Sequence, residues 1–259
     1  MIKPVLHYFN LADEVVSFST TRHGGVSKGK LATLNINPHR GDEPSAVAEN
    51  LQAVAAEIGI QTDKVIRLHQ IHETHCLTVT DAFFRLSVAE QYEMEEGKDA
   101  VVTDCRNVCI GVHTADCVPV LFYDPVHHAI GAAHAGWRGT VQRIAQHTLR
   151  KMTELYGTDP KELKAVVGPC ISQKNFEVGQ EVYDTFSAAG FPMERIARMY
   201  EKWHIDLPLC NQLQLEELGV PIANIIQSGI CTYDNASDFF SARILKEGFG
   251  TIYTGITLK

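Results

Sequence analysis

The segment Ala115–Gly139, ADCVPVLFYDPVHHAIGAAHAGWRG, holds two apolar runs separated by a short polar stretch that begins with Asp-Pro. The runs are Val118–Tyr123 and Ala129–Ala133, and the Asp-Pro pair is typical of a turn. No crossover helix fits between them, so we predict an antiparallel hairpin. Cys117 and His134 are equidistant from the midpoint of the turn. We therefore expect them to face each other, with Cα atoms about 5.5 Å apart.

Outside this hairpin, the apolar patterns alternate between strands and helices. Strands are expected at Val15–Thr20, Val65–Leu68, Cys76–Val79, Asn107–Val112, Ala165–Val167 and Asn224–Gln227. Helices are expected at Ala46–Ile58, Thr140–Tyr156, Val178–Ala188 and Leu207–Leu218. Asp42 or Ser45 is the candidate N-cap of the first helix, and Gly157 and Gly219 are candidate C-terminal stops. Because several connections are short, the pattern favours an α/β (α+β) sandwich of mixed sheets with helices on the outer faces.

Composition and charge narrow the class of protein. The chain has 259 residues, of which 45% are apolar and 21% charged, an ordinary globular composition. No linker or repeat interrupts it, so we expect a single domain over residues 1–259. The net charge of −8 argues against a partner that is nucleic acid or an anionic membrane, but allows a small substrate in a locally basic pocket.

Cysteine usage and the N-terminal segment predict a compartment. The seven cysteines form an odd set without the spacing of a disulfide scaffold. Met1–Asn10 lacks the apolar core of a signal peptide, and no stretch approaches the roughly 20 apolar residues that span a bilayer. We therefore expect a soluble cytoplasmic protein with reduced thiols. The oligomeric state is left open.

Two kinds of chemistry suit Cys117 and His134. A thiolate next to an imidazole can act as a nucleophile on an amide or ester. The same pair can supply two of three ligands to a metal that keeps an open position. The second reading needs a third ligand, and residue spacing does not choose among His69, His72, His75 and His113.

The residues after His134 suggest an anion site. Ala135-Gly136-Trp137-Arg138-Gly139 leads into the helix expected from Thr140. A glycine-containing turn at a helix N-terminus presents free N–H groups, and Arg138 adds a fork of donors suited to phosphate or carboxylate.

Several ordered motifs, spread over nearly the whole chain, carry a resemblance to a known family. They are Thr21-Arg22-His23-Gly24-Gly25-Val26-Ser27, Leu34-Asn35-Ile36, His39-Arg40-Gly41-Asp42, Gln70-Ile71-His72, Asp99-Ala100-Val101-Val102-Thr103, Ala115-Asp116-Cys117-Val118-Pro119-Val120, His134-Ala135-Gly136-Trp137-Arg138-Gly139, Gly168-Pro169-Cys170-Ile171, Phe176-Glu177-Val178-Gly179 and Phe239-Phe240-Ser241. With this set the chain resembles the YfiH-like family. Its members are also described as laccase-like polyphenol oxidases, peptidoglycan editing factors and purine nucleoside phosphorylases.

The resemblance implies a zinc ion bound by His72, Cys117 and His134, and a sandwich fold distantly similar to toxin deamidases. It also implies an enzyme that phosphorolyses adenosine, inosine, guanosine and 5′-methylthioadenosine and that deaminates adenosine. Asp116 is either a catalytic residue that orients a ligand or a turn residue before a strand. The candidate holders of substrate and phosphate are Arg22, Arg40, Arg138, Gly139 and Arg243.

The chain departs from the family near its C-terminus. Many members carry Phe-Ser-Tyr-Arg-Arg, whereas this chain has Phe240-Ser241-Ala242-Arg243-Ile244, so an aromatic ring and an arginine are missing. The name laccase implies several copper ions held by His-x-His pairs, and the sequence has no such pair. Copper could still enter a Cys-His-His site in vitro, because most sites bind Cu²⁺ more tightly than Zn²⁺. Two alternatives stay open: a Cys–His hydrolase of peptidoglycan precursors, and a non-catalytic metal-binding protein.

Overall fold

Strands and helices intermix along the chain as the sequence predicts. The computed structural model describes residues 2–259, so residue 1 of the expected single domain lies outside it. The strands are β1 (Leu6–Phe9), β2 (Val15–Thr20), β3 (Cys76–Thr78), β4 (Ala100–Thr103), β5 (Cys109–Thr114), β6 (Val118–Asp124), β7 (Ala129–Ala135), β8 (Lys164–Val167), β9 (Glu177–Val178), β10 (Ala197–Met199), β11 (Trp203–Ile205), β12 (Ile225–Gln227) and β13 (Ile252–Leu258). The helices are α1 (Pro44–Glu57), α2 (Val88–Glu95), α3 (Trp137–Val141), α4 (Ile144–Tyr156), α5 (Gln180–Ala188), α6 (Met193–Ile196), α7 (Leu207–Glu217) and α8 (Ala242–Leu245). Within residues 2–259 no helix combines the length and the apolar character that crossing a bilayer requires.

The strands form two main sheets and a small one. The larger sheet has the order β12-β8-β6-β7-β4-β3, with parallel pairs at both edges and antiparallel pairs in the middle. The second sheet, β1-β2-β13-β5, is antiparallel throughout. Strands β10, β11 and β9 form the small sheet. The mixed larger sheet is what short connections between strands predict.

Apolar side chains from alternate positions bury both faces of the larger sheet. In β6, Val120 and Phe122 pack on one face against α4 and α7, whereas Leu121 packs on the other face against the second sheet. This period of two is the pattern of a strand that is covered on both sides. On the far side of the second sheet, α1 covers residues of β2 and β13. The result is a sandwich of two sheets between outer helices, as expected.

Two helix expectations are corrected by local contacts. The first helix begins at Pro44, which suits a first helical position, and the residue before it is Glu43 and neither of the expected caps, Asp42 and Ser45. The expected helix Thr140–Tyr156 is divided into α3 and α4, because Arg143 takes a left-handed conformation at φ 64°. Its guanidinium lies 3.9 Å from the Phe191 ring centroid and pairs with Glu217 at 3.1 Å.

Other elements also differ in extent. Val65–Leu68 is not a strand, and only Val65 forms a bridge, to Cys109. The helix expected from Val178 begins at Gln180, because Glu177 and Val178 pair with β11. Gly157 ends α4 in the left-handed conformation, as expected.

The hairpin is present, but the expected register is wrong by two residues. His134 faces Pro119, and Asp124 pairs with Ala129 across the turn. The turn centre is shifted because the Asp124 carboxylate accepts hydrogen bonds from the N–H groups of Val126 (2.9 Å) and His127 (3.1 Å). A shift of two residues keeps every side chain on its face of the sheet, so Cys117 and His134 still lie near each other.

Replacing Asp124 should weaken this turn. Its side chain is 1% exposed and also accepts from Nδ1 of His127 at 2.9 Å. Asp124→Ala removes the charged acceptor of these three hydrogen bonds, so we expect a loss of about 1–3 kcal/mol in the free energy of unfolding, measured by urea denaturation at pH 7. Asp159→Ala is the control, because Asp159 is exposed and accepts a single backbone hydrogen bond.

The difference in the free energy of unfolding between wild type and Asp124→Ala should depend on pH. Burial opposes ionisation of Asp124, but the Thr158 side chain, followed by the donors of His127 and Val126, holds its pKa below the ordinary value of 3.8. A lowered pKa in the folded state gives stability above the unfolded pKa that is lost as the pH falls through the folded one. A gap between wild type and Asp124→Ala that widened below pH 4 would contradict this account.

Candidate metal centre and cavity

The topology of the larger sheet brings four functional side chains to one end. Strands β3, β4 and β6 run in one direction and β7 runs against them, so the starts of the first three lie beside the end of β7. Asp99 immediately precedes β4, Cys117 immediately precedes β6, and His134 is the penultimate residue of β7. His72 lies in the segment before β3.

His72, Cys117 and His134 converge as a group suited to a metal ion. Their ligand atoms all lie within 4.8 Å of one another, and no other such group of three occurs within residues 2–259. Nε2 of His72 is 4.0 Å from Sγ of Cys117, and the two imidazole rings meet edge to face at 4.7 Å. His134 is buried, Cys117 is half-buried and His72 is exposed.

Asp99 is the functional residue that sequence reasoning missed. Its side chain is fully buried, and its carboxylate accepts a 2.8 Å hydrogen bond from Nδ1 of His134. This bond leaves Nε2 of His134 as the ring nitrogen available to a metal, which is the usual arrangement for a metal-binding histidine. The sequence feature that could have identified Asp99 is an acidic residue directly before an apolar run.

The same carboxylate holds the turn that carries His72. It accepts hydrogen bonds from three consecutive backbone N–H groups, those of Ile71 (3.1 Å), His72 (3.0 Å) and Glu73 (2.9 Å). His72 has φ 66°, a conformation that is costly for a residue other than glycine. The Asp99 carboxylate offsets that cost and links two of the three candidate ligands.

The charges of the cluster favour a deprotonated thiol. Burial opposes ionisation of Cys117, but the charge and proximity of His134, together with His72, lower its pKa to about 6. Burial likewise opposes protonation of His134, yet Cys117 and Asp99 raise its pKa to about 9. For Asp99, burial is outweighed by the hydrogen bond and charge of His134, which keep its pKa below the ordinary value.

The carboxylate of Asp116 forms hydrogen bonds with the C-terminal part of the chain and with none of the candidate ligands. Its carboxylate accepts from the hydroxyls of Thr232 (2.7 Å) and Ser241 (3.0 Å) and from the backbone N–H of Arg243 (2.7 Å). It has φ 81° at the turn that leads into Cys117. Asp116 therefore positions the turn that carries Cys117 and ties it to the C-terminal segment.

The other histidines near the cluster have different partners. His69 pairs with Glu96 at 2.6 Å, and His75 pairs with Glu73 at 2.9 Å. His113 is buried, with Nδ1 3.3 Å from the Thr251 hydroxyl. Of the four histidines between which spacing did not choose, the structure brings His72 to the ligand pair.

A cavity of about 220 Å³ opens beside the three candidate ligands. Its wall is formed by Asn37, His39, Arg40, Leu68, His69, Gln70, His72, His113, Thr114, Ala115, Cys117, His134, Ala242, Phe249 and Thr251. The side chain of Gln70 is pinned at this wall, since it bonds both the N–H and the carbonyl of His113 (2.7 and 2.8 Å). A cavity with apolar walls and a few convergent polar and titratable side chains is the usual form of a small-molecule site.

Of the predicted anion-binding residues, the structure brings Arg40 to this cavity. The guanidinium of Arg22 donates hydrogen bonds to the carbonyl groups of Ala32 and Ala236. Arg138 is exposed over the Trp137 ring, and neither it nor Gly139 lines the cavity.

Arg243 also lies outside the cavity wall. Its guanidinium donates to the carbonyl of Glu177 at 3.0 Å. Its neighbour Ala242 does line the cavity.

The local packing leaves room at the candidate ligands. A Cβ added to Gly136 would lie 3.0 Å from Cδ2 of His72 and 3.1 Å from Sγ of Cys117. Glycine at this position therefore keeps the space between the ligands free. Two imidazoles and a low-pKa thiol form a donor set that suits zinc, so the residues fit a metal ion.

Comparison with known proteins agrees with the fold and the motifs. The family model described as "Multi-copper polyphenol oxidoreductase laccase" matches residues 16–259. The crystal structure of the Bacillus licheniformis hypothetical protein YfiH superposes with a TM-score of 0.91 at 31% identity, covering 99% of this chain and 97% of that one. The chain belongs to the YfiH family. This confirms the resemblance that the motifs indicated and the expected fold class.

Two curated relatives carry enzyme names. This YfiH-family chain is 41% identical to the purine nucleoside phosphorylase of Bacteroides thetaiotaomicron, over 99% of the chain and 97% of the relative. It is 35% identical to adenosine deaminase RL5 from an unknown prokaryotic organism, over 98% of each chain. Enzymes that act on purine nucleosides are thus found within the family.

Asp99 should control metal affinity. In Asp99→Asn one of the two oxygens becomes an NH₂ group, which cannot accept. It then faces either the N–H groups of Ile71 and Glu73 or those of His72 and the His134 ring. We expect Zn²⁺ affinity to fall about 10- to 100-fold, the usual cost of losing a carboxylate behind a histidine ligand. Competition with a chromophoric chelator measures it, with the exposed Asp63→Asn as control. Equal affinities in the two variants would show that Asp99 has no such role.

Proposed function

We propose that this protein is a zinc-dependent purine nucleoside enzyme. It phosphorolyses adenosine, inosine, guanosine and 5′-methylthioadenosine to the base and ribose 1-phosphate, and it deaminates adenosine. The observation that carries the proposal is the convergence of His72, Cys117 and His134 on a cavity, with Asp99 behind two of them. The names of the two curated relatives support the substrate class.

The ligand set supports zinc over a multicopper centre. One thiolate and two imidazoles with an adjoining cavity match a catalytic zinc site, which keeps a position free for water or substrate. A multicopper oxidase needs a mononuclear and a trinuclear site, whereas residues 2–259 contain a single group of three such ligands. Copper loaded in vitro is consistent with this donor set as well.

The chain's own residues have distinct roles in this proposal. When bound, a zinc ion supplies Lewis acidity and lowers the pKa of water towards neutrality. Asp99 holds the proton on Nδ1 of His134 and so fixes the orientation of that ring. His134 and His72 lower the pKa of Cys117 against the effect of burial, which favours the thiolate form that a metal binds. Asp116 acts indirectly, through the turn before Cys117.

The same geometry favours a second candidate, a cysteine hydrolase. The imidazole of His134 lies between the thiol of Cys117 and the carboxylate of Asp99. This arrangement activates a nucleophilic cysteine. Such an enzyme would act on an amide such as that of a peptidoglycan precursor. It would work without metal, and its Cys117 would be alkylated rapidly in the presence of a chelator.

The deciding experiment pairs metal content with turnover. Mass spectrometry should find about one zinc per chain in wild type, from the single group of ligands. Adenosine should release adenine only with phosphate present, and inosine should form from adenosine without it. Cys117→Ala should lose the zinc and both activities, because the thiolate is a ligand.

Cys105→Ala is the matched control, since Cys105 is a half-buried thiol outside the cavity wall. It should keep the wild-type metal content and both activities. Metal-free wild type with no nucleoside turnover would overturn the proposal. Covalent labelling of Cys117 and amide hydrolysis in chelator would then establish the hydrolase.

A further inference from the structure

Arg40 is a half-buried cation without an ion-pair partner. Its Nε donates to the carbonyl of Phe249 at 3.1 Å, and its guanidinium lies 4.2 Å from the centroid of the Phe249 ring. Within residues 2–259 no carboxylate forms an ion pair with it, and burial alone lowers its pKa. The ring and the Nε bond hold the guanidinium plane at the cavity wall. Its terminal N–H groups therefore remain as a fixed donor fork, the geometry that matches a carboxylate or phosphate.

Two histidines stand beside this arginine. The rings of His39 and His69 are stacked, with centroids 4.1 Å apart and planes 14° from parallel, and both line the cavity. Nδ1 of His69 faces the Glu96 carboxylate at 2.6 Å, which leaves Nε2 as the free nitrogen of that ring. His39, Arg40 and His69 are called the basic cluster below. It is separate from the metal-ligand group.

The charges within the basic cluster are unbalanced. Glu96 is the acid in contact with it, and that carboxylate is engaged by His69. Burial, followed by the positive charges of His69 and Arg67, lowers the pKa of His39 against the opposing influence of Glu96. Arg40 is therefore left as a cation at the cavity wall with no carboxylate from the described part of the chain to balance it. In a protein of net charge −8, such an unpaired guanidinium marks a site for an oxyanion.

His113 supplies an independent sign of a ligand in the same cavity. Its side chain is 4% exposed and it lines the wall, yet its Nε2 has no hydrogen-bond partner within the described residues. A buried polar nitrogen without a partner is costly, and it is found where a ligand or water completes the bond.

From this geometry we infer that the basic cluster binds inorganic phosphate as the co-substrate, with Arg40 as its main donor. The inference rests on the proposed phosphorolysis and extends it to a subsite. Arg40 offers donors to the phosphate oxygens. Nε2 of His69 offers an acceptor to the P–OH group of hydrogen phosphate, because Nδ1 of the same ring donates to Glu96. The nucleoside occupies the part of the cavity beside His72, Cys117 and His134. The other predicted anion holders do not line the cavity.

The test compares Arg40→Gln with Arg138→Gln on zinc-loaded protein. The KM for phosphate in adenosine phosphorolysis and the Kd for inorganic phosphate, from calorimetry, should both rise about tenfold or more in Arg40→Gln, the loss expected for one charge-assisted hydrogen bond. The KM for adenosine should change far less. In Arg138→Gln, an exposed arginine outside the cavity, both phosphate constants should stay within about twofold of wild type. His69→Asn serves as a second variant and should shift the same two constants.

Each alternative outcome is distinguishable. Unchanged phosphate constants in Arg40→Gln and His69→Asn, or a rise in Arg138→Gln alone, would overturn the inference. If Arg40→Gln weakened the binding of adenosine 5′-monophosphate but not that of inorganic phosphate, the cluster would recognise the phosphate group of a nucleotide. The assignment of inorganic phosphate as its ligand would then be wrong. If wild type bound phosphate through Arg40 but released no purine base, the subsite would stand and the proposed function would fail.

Discussion

The contact on which the site depends is the buried carboxylate of Asp99. It bonds a ring nitrogen of His134 on one strand and three backbone N–H groups of the turn that holds His72. A charge buried this deeply is tolerated because every one of those donors is directed at it. The carboxylate therefore couples two parts of the chain that would otherwise be independent. Cys117 joins them through β6, the strand paired with β7.

Local patterns predicted most of the framework because the larger sheet is buried on both faces. Continuous apolar runs such as Val118–Tyr123 identify a strand without tertiary information. The break in the helix at Arg143 could not be predicted, since it depends on contacts with Glu217 and Phe191, which are distant in sequence. The hairpin register failed for a different reason: hydrogen bonds from backbone groups to Asp124 decide where the turn is centred.

The sequence predicted the types of residue in the candidate site, but not which of these residues contact one another. Cys117 and His134 followed from the hairpin, whereas His72 came from family resemblance, because spacing alone allowed four histidines. Asp99 was missed because a buried carboxylate is recognised by the donors around it, and these come from a turn far from it in the chain. Arg40 lacked any local mark that separated it from Arg138. The difference lies in which of them the fold turns towards the cavity.

Strand β13 sits between β2 and β5, although it follows both of them in the chain by well over a hundred residues. The hydroxyls of Ser19 on β2 and Thr254 on β13 form a hydrogen bond, although the two residues are 235 positions apart in the chain. During synthesis, β2 and β5 are therefore made before β13, the strand that pairs with both of them, and each has an unpaired edge until then. Open strand edges invite pairing with other chains. Until β13 emerges, the nascent protein therefore carries two strand edges at which it could pair with another chain.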